Sequence, residues 1–353
     1  MLFSVILFSL LTNSCLMLLS PIYYHKNILL NWYYINIFKK VVSLSKSRHL
    51  SFLKWAVPVF YCSIIVSLGA LYYMCIANNN FFSNLLLNIS IFENAFLIPL
   101  ILTSNLGLVA LCHIKSKQKN HEHIKTYSYD KILYFPNTVC PTCKTNKLAR
   151  SKHCRICDIC VAGEDHHCIW LNCCISILNY KFFDFLLLNN LVGLIYASVR
   201  SGFILTEINQ KFIKNFNKAE NRDEIYKQFT VFRKNILIIF LLSFCFSLIL
   251  TWFIYTQINL ISDGMTSNES DNWFVIHSLI DEKLIYRIND ELYILSDDDT
   301  GSRSRFESIN FYDKSIYNFH NINESNLVKS ALEIENIYDC HSFIKNLKQR
   351  WNL

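Results

Sequence analysis

Four long stretches of this chain carry almost no charge, and they restrict the fold more than any other feature of the sequence. Each has 19 residues or more, and a helix needs about 20 apolar residues to cross the hydrocarbon core of a bilayer. Only 17% of the chain is charged, against about 25% in soluble domains, so a soluble enzyme and a disordered protein are both excluded. We predict a multi-pass α-helical membrane protein with four core spans: Trp55–Ala77, Asn94–Cys112, Phe182–Thr206 and Asn235–Ser262.

The first residues of the sequence are also apolar. No Lys or Arg precedes His25, whereas a cleaved signal peptide usually begins with a positively charged region. We therefore expect the segment 1–24 to be a fifth span or an interfacial helix rather than a signal peptide, with a non-native start as the remaining alternative.

The distribution of Lys and Arg predicts the orientation of the spans, because positive charge is enriched in cytosolic loops. The segment 25–54 contains six Lys or Arg and no acid, and the loop 78–93 contains neither Lys nor Arg. We expect 25–54 and 113–181 to be cytosolic, and 78–93, with the glycosylation-type triplet Asn88-Ile89-Ser90, to be non-cytosolic. The loop 207–234 should then also be non-cytosolic, although its 7 Lys or Arg against 4 acids conflict with that orientation.

A dense cysteine cluster lies between the second and third predicted spans. The segment Cys140–Cys174 contains 8 of the 14 cysteines, together with three histidines, in Cys-x-x-Cys pairs that are typical of zinc sites rather than of disulfides. Two tetrahedral zinc ions need eight ligands, which leaves three of these eleven groups over. A spare Cys beside a spare His that follows an Asp is the arrangement of an activated nucleophile. Spacing alone does not decide which histidine of the adjacent pair binds metal.

The motif Asp165-His166-His167-Cys168, with its flanking cysteines, resembles the Asp-His-His-Cys (DHHC) protein S-acyltransferases, also called palmitoyltransferases. The sequence fits the family spacing at every ligand position from Cys140 to Cys174. Thr266-Ser267-Asn268-Glu269 resembles the family's Thr-Thr-x-Glu element, and Asn310-Phe311-Tyr312-Asp313 weakly resembles its C-terminal Asn-x-Tyr-Asp element. The chain departs from the family at Leu148, Cys173, Ser176 and Ser267, and Ser176 in place of Gly puts the turn after the second zinc site in question.

The resemblance implies a role for each group of the cluster. Cys168 would be the nucleophile, His166 its general base and Asp165 the group that orients the histidine. Two structural Zn²⁺ ions would be held by two ligand sets: Cys140, Cys143, His153 and Cys160, and Cys154, Cys157, His167 and Cys174.

The same resemblance implies a protein S-palmitoyltransferase. It would take a long-chain acyl group from palmitoyl-CoA, hold it as a thioester and pass it to cysteines of membrane-associated proteins at an endomembrane (ER or Golgi) or at the plasma membrane. Nucleic acid is not an expected partner, because the positive charge flanks the spans. The expected domains are an apolar segment (1–24), a basic cytosolic segment (25–54), a first transmembrane hairpin (55–112), a zinc domain (113–181), a second transmembrane hairpin (182–262) and a cytosolic tail (263–353). The zinc domain, which contains the catalytic residues, is expected on the cytosolic side.

Several features have simpler explanations. The whole chain could be a catalytically silent membrane scaffold, or its zinc module could resemble that of a ubiquitin ligase. Thr266 and Ser267 could cap a helix or brace the catalytic segment, and Cys173 could be a second acylation site, although a packing thiol is the simpler interpretation. We expect Trp170 at the bilayer interface and the acidic segment 281–307 as a solvated loop. Three cations are either solvated or attract the phosphates of coenzyme A: Lys147, Arg150 and Lys152.

Overall fold

The computed structural model describes most of the chain beyond residue 97 and less before it. The part before Cys62 forms a separate unit, in which α1 (Ile28–Tyr33) continues as a π-helical turn, Tyr34–Phe38. Most of the predicted N-terminal segment, most of the first predicted span and the loop 78–93 lie outside the described residues. The structure describes residues 16, 28–38, 40, 55–63, 66–67, 97–116, 127–216, 222–296, 305–310, 312–319 and 322–352.

Within the described residues, three helices are long and apolar enough to cross a membrane: Ile98–Ser116, Tyr180–Glu207 and Phe229–Ser262. They correspond to the second, third and fourth predicted spans, so the chain is a multi-pass helical membrane protein. The first predicted core span, Trp55–Ala77, and the fifth span at the N-terminus remain predictions. Large apolar side chains on the last two helices are more than half exposed, as lipid-facing residues are: Val199, Phe203, Leu248, Ile249 and Trp252.

The last two of these helices are longer than the sequence predicted. Helix α2 is Ile98–Ser116, α3 has 37 residues (Tyr180–Phe216) and α4 has 41 (Arg222–Ser262), so α3 and α4 run for about 55 and 60 Å against a hydrocarbon core of about 30 Å. The prediction of 207–234 as a loop is therefore wrong in its described part. The charged residues there lie on helical extensions, which the stacked rings of Phe212 and Phe229, 3.9 Å apart, hold together.

Two small hairpins follow α2 and form the cysteine-rich domain. Strand β1 (Ser151–Cys154) pairs with β2 (Ile159–Ala162), and β3 (His166–Cys168) pairs with β4 (Cys173–Ile175). The side chain of Asn179 joins this domain to the spans, because its amide donates to the carbonyls of Cys112, at 3.0 Å, and Cys174, at 2.9 Å. The turn that precedes α3 forms with Ser176 outside the left-handed region, so a glycine is not needed there.

The C-terminal region is folded. It comprises α5 (Ser267–Asp281), a four-stranded antiparallel sheet and α6 (Phe343–Arg350). Apolar residues of α5, among them Trp273 and Ile276, pack against Ile285 and Leu292 of the sheet. The strands are β5 (Ile285–Ile288), β6 (Glu291–Ser296), β7 (Arg305–Ser308) and β8 (Ile316–Tyr317).

This sheet corrects the prediction that the acidic segment 281–307 is a solvated loop. Ile285 and Leu292 belong to the apolar cluster that includes α5, and Ile288 and Tyr293 to a second cluster with Phe306, so both faces of the β5–β6 hairpin are covered. Asn289 and Asp290 both have positive φ, 52° and 62°, as a two-residue hairpin turn requires. Asn-Asp between two short runs rich in Ile, Leu and Tyr was therefore a readable hairpin signal. Residues 297–304, with Asp297-Asp298-Asp299, lie outside the described residues.

Candidate active site and metal centres

The cysteine-rich domain contains two groups of four metal-ligating side chains. In each group the ligand atoms lie within 4.8 Å of one another. The groups have the same membership as the two predicted ligand sets: Cys140, Cys143, His153 and Cys160, and Cys154, Cys157, His167 and Cys174.

The distances within each group suit tetrahedral zinc. Zn–S bonds of about 2.3 Å and Zn–N bonds of about 2.0–2.1 Å at tetrahedral angles put S and N about 3.6 Å apart. Nδ1 of His167 lies 3.6, 3.4 and 3.7 Å from the sulfurs of Cys154, Cys157 and Cys174. Nδ1 of His153 lies 3.3 Å from Cys143 and 3.9 Å from Cys160. Both sets therefore fit a zinc ion that is bound through Nδ1 of the histidine.

The two Cys-x-x-Cys turns have the same local structure. In each, the sulfur of the first cysteine accepts a hydrogen bond from the backbone N–H of the second, at 3.4 Å. The residue that follows each pair, Lys144 or Asp158, has a positive φ of 57° or 58°, which bends the chain away and leaves both thiols on one side. The sequence thus presents two thiolates per turn to one ion.

Strand β3 separates the two adjacent histidines. Successive side chains of a strand point to opposite faces, so His167 points away from His166 and Cys168. In the register of the hairpin His167 pairs with Cys174, a member of its own ligand group. The structure therefore groups His167 with the metal-ligating side chains, as the family resemblance implies, and leaves His166 and Cys168 together on the other face.

His166 interacts with a buried carboxylate. Its Nδ1 lies 2.7 Å from Oδ2 of Asp165, while Oδ1 of Asp165 accepts the backbone N–H of Ser267. Burial raises the pKa of Asp165, but the hydrogen bond with His166, the charge of Arg350 and the Ser267 N–H together lower it to about 2. Burial lowers the pKa of His166, and the hydrogen bonds with Asp165 and Cys168 outweigh burial and raise it to about 9. An ionised Asp165 thus holds an imidazole that can carry the thiol proton at neutral pH.

Cys168 lies in an apolar cluster where the zinc domain meets the spans. The ring of Phe183 meets that of His166 edge-on, with centroids 5.6 Å apart. Cys173 is the cross-strand neighbour of Cys168, and it is 2% exposed, which fits the packing role that we considered for it. The buried members of the cluster are Cys112, Cys168, Leu171, Cys173, Ile175, Tyr180, Phe183 and Leu186.

The Thr266–Glu269 element both caps a helix and braces the site. Thr266 and Glu269 form a capping box at the start of α5, and the adjacent Ser267 N–H binds Asp165. Glu269, 1% exposed, also binds Arg150 through Nε at 2.7 Å and Nη2 at 2.5 Å. Both roles that the sequence left open are thus present.

Arg150 corrects a prediction, because it is neither solvated nor available to coenzyme A. It is 7% exposed, and it donates to Glu269 and to the carbonyl of Gly264. Two lysines near Arg150 in the sequence also form hydrogen bonds. Lys147 donates to the Tyr312 hydroxyl at 2.6 Å, and Lys152 donates to Asn268 at 2.5 Å. Trp170 is about half exposed, and its position at the bilayer interface remains a prediction.

A second Asn-x-Tyr-Asp run, at Asn336–Asp339, escaped the sequence analysis and is the one that packs against the site. The ring of Tyr338 lies 4.6 Å from the Arg150 guanidinium, and its hydroxyl donates to the carbonyl of Ser128. Tyr312 of the run that we had chosen is exposed. A repeated search for the same four-residue pattern would have found the buried copy.

The fold and this site define a membrane protein that has a Cys/His-rich domain of the zinc-binding kind, with a Cys-His-Asp group where this domain meets the spans. The sequence profile of a family described as DHHC palmitoyltransferase matches residues 133–273. The chain is 34% identical over 331 residues to palmitoyltransferase SWF1 of Kluyveromyces lactis, covering 92% of both chains. It is 31% identical to palmitoyltransferase SWF1 of Saccharomyces cerevisiae, over 82% of this chain and 83% of that one.

A more distant similarity, 31% over 155 residues, is to mouse palmitoyltransferase ZDHHC4, with 41% of this chain and 45% of that one covered. The chain therefore belongs to the DHHC palmitoyltransferase family, and the sequence-based predictions of this family and of a palmitoyltransferase activity are confirmed.

Proposed function

We propose that this palmitoyltransferase forms a thioester between Cys168 and a long-chain acyl group of acyl-CoA, and then passes the acyl group to cysteines of membrane-associated proteins. The observation that supports the proposal most is the hydrogen-bonded pair of Asp165 and His166 beside Cys168, on the face of β3 opposite the metal ligands. A scaffold that only bound partners would not need this buried carboxylate beside a spare thiol.

The reaction would proceed in two thiol–thioester exchanges. Asp165 holds Nδ1 of His166, which leaves Nε2 to take the proton of Cys168. The Cys168 thiolate attacks the acyl carbon, the bond to the coenzyme A sulfur breaks, and His166 returns the proton to the leaving thiolate. In the second exchange His166 deprotonates the cysteine of the protein substrate, that sulfur takes the acyl group, and the Cys168 thiol is restored.

The position of Cys168 suits a substrate with one apolar and one charged end. Each buried CH₂ group of a lipid chain contributes about 0.8 kcal/mol. Cys168 belongs to the buried apolar cluster that contains Leu171, Phe183 and Leu186, and α3 continues from this cluster into the membrane. The acyl tail would lie along the apolar side chains of the spans beyond the cluster, and the charged coenzyme would remain outside the membrane.

The two ligand groups would each hold one structural zinc ion, which supplies no reaction step because four protein ligands leave no open coordination position. What they supply is the geometry of β1–β4. Cys174 and His167 fix the pairing of β3 with β4, and through it the positions of His166 and Cys168 on the opposite face.

Labelling of the purified chain tests the proposed function. Wild-type protein incubated with an alkyne analogue of palmitoyl-CoA should acquire a label that neutral hydroxylamine removes, because hydroxylamine cleaves thioesters. The label should chase onto a peptide that contains a cysteine. A wild-type protein that stays unlabelled would rule out the thioester mechanism and favour the scaffold.

We further propose that the catalytic domain is cytosolic, at an endomembrane or the plasma membrane, and that the tip between α3 and α4 is on the other side. In an Asn88→Gln background, Asp223→Ser creates an Asn-x-Ser acceptor at Asn221, which should become glycosylated. The native triplet Asn323-Glu324-Ser325 is exposed in the C-terminal region and should remain unmodified as an internal control. Glycosylation of Asn323 instead of Asn221 would invert the proposed orientation.

A further inference from the structure

The end of the last helix, α6, is tied to a carboxylate within a membrane span. Asp184 lies in the second turn of α3. Its Oδ2 accepts the indole N–H of Trp351 at 2.7 Å, and its Oδ1 lies 3.4 Å from Nη2 of Arg350. The same Nη2 donates to Gln257 of α4 at 2.6 Å. Two consecutive residues near the C-terminal end thus join α3 and α4.

The contact is buried and charged. Arg350 is 8% exposed and Gln257 5%, and the guanidinium lies 3.8 Å from the centroid of the Tyr180 ring. Burying a guanidinium is unfavourable unless it is well paired. Apolar side chains would be enough to hold a helix of eight residues in place. A buried arginine at this position therefore points to a role beyond attachment.

The turn of α3 that these residues hold is the one that faces the catalytic group. Arg350 stacks against Tyr180, and Phe183, three residues further along α3, contacts the ring of His166. Trp351 packs against the apolar cluster that contains Cys168 and stacks beside Phe185, with ring centroids 5.5 Å apart.

We propose that Arg350 and Trp351 are positioning residues for acyl transfer. By holding Asp184 and Tyr180, they fix the first two turns of α3, and through Phe183 they align His166 with Cys168. The inference rests on the proposed function, because it concerns the same thioester step. It assigns a specific task to the last helix of the chain, which the sequence analysis had placed in a tail.

The test compares charge-matched variants of α6 in the purified full-length protein. Arg350→Gln should lower kcat for acylation of Cys168 by about 10- to 100-fold, the effect of misaligned catalytic groups, with KM for palmitoyl-CoA unchanged. Arg350→Lys keeps the charge but loses the planar fork and should be faster than Arg350→Gln. The control is Lys348→Gln, which removes the same charge from an exposed position of the same helix and should behave as wild type.

A double-mutant comparison separates positioning from mere support of the fold. If Arg350 acts by aligning His166, Arg350→Gln should have less than about a two-fold further effect in a His166→Ala background. An equal loss in both backgrounds would overturn the inference, since it would mean a general loss of structure. Trp351→Phe removes the N–H donor and keeps an aromatic ring at this position, and it should show the same dependence on His166. It decides the question if Arg350→Gln does not fold.

Failure of this inference is distinguishable from failure of the proposed function. Wild-type protein without a hydroxylamine-sensitive label would remove the thioester mechanism itself. Labelled wild-type protein, with Arg350→Gln and Trp351→Phe as fast as Lys348→Gln, would remove only the positioning role.

Discussion

Cys168→Ser should keep both zinc ions and normal expression while losing the hydroxylamine-sensitive acyl-enzyme. Cys168 belongs to neither group of ligands, so the substitution removes no coordination bond. Serine and cysteine are of similar size, and the buried position beside Leu171 and Phe183 should tolerate the change. The serine hydroxyl is a far weaker nucleophile than the thiol, so transfer of the acyl group from acyl-CoA to residue 168 should stop. Elemental analysis gives the zinc content, and alkyne labelling gives the acyl-enzyme.

Two further variants distinguish the nucleophile Cys168 from the general base His166 and from the neighbouring thiol of Cys173. His166→Ala should also retain zinc and should slow acylation by about 10²–10⁴-fold, as removal of a general base does. Cys173→Ser should leave the label intact, because Cys173 is a buried packing thiol. If Cys168→Ser keeps its label and Cys173→Ser loses it, the nucleophile is Cys173. If Cys168→Ser loses zinc, Cys168 is a ligand, and the assignment from the strand alternation is wrong.

The chemistry of the site was readable from the sequence because it is local. All eight ligands and the Asp-His-Cys group lie within 35 residues, and two short hairpins are enough to assemble them. The membership of both ligand groups came from the family resemblance, and the structure brings together the same residues. The choice of His167 over His166 also came from the resemblance, and the alternation of β3 puts the two imidazoles on opposite faces.

The supports of the site were not readable, because they come from distant parts of the chain. Arg150 meets Glu269 across 119 positions, and Arg350 meets Asp184 across 166. A lone arginine among lysines is most simply interpreted as solvated, and only the fold shows which one is buried. The extension of α3 and α4 was missed for a similar reason, since a hydropathy pattern marks where a helix leaves the bilayer and not where it ends.

The folded sheet in the acidic segment shows a limit of charge as a criterion. Residues 281–296 contain four acids, but eight of their residues are apolar or aromatic, and Ile285, Leu292 and Tyr293 among them are buried. The charge of the whole segment, 281–307, therefore did not predict the exposure of its first half. The apolar runs on either side of the Asn289-Asp290 turn carried the correct information.

Cys157→Ser should have the opposite effect to Cys168→Ser, with loss of about one zinc ion per chain and of the folded zinc domain. The sulfur of Cys157 lies 3.4 Å from Nδ1 of His167 and 3.5 Å from the sulfur of Cys174, so its removal leaves three ligands on one ion. A structural zinc site contributes about 10–16 kcal/mol of apparent binding free energy in small zinc domains, as much as the whole stability of a typical protein, about 5–15 kcal/mol. Weakening it should therefore cause aggregation or degradation.

The loss of this zinc ion should also lower the activity of the catalytic group, because β3 carries both His167 and Cys168. With His167 and Cys174 no longer held by the ion, the pairing of β3 with β4 should loosen, and acylation of Cys168 should fall together with the zinc content. Cys340→Ser is the matched control, because Cys340 is exposed and belongs to neither ligand group, and it should keep two zinc ions and full labelling. Two zinc ions retained by Cys157→Ser would disprove the ligand assignment. Full labelling after loss of one zinc would instead show that the second metal group does not position Cys168.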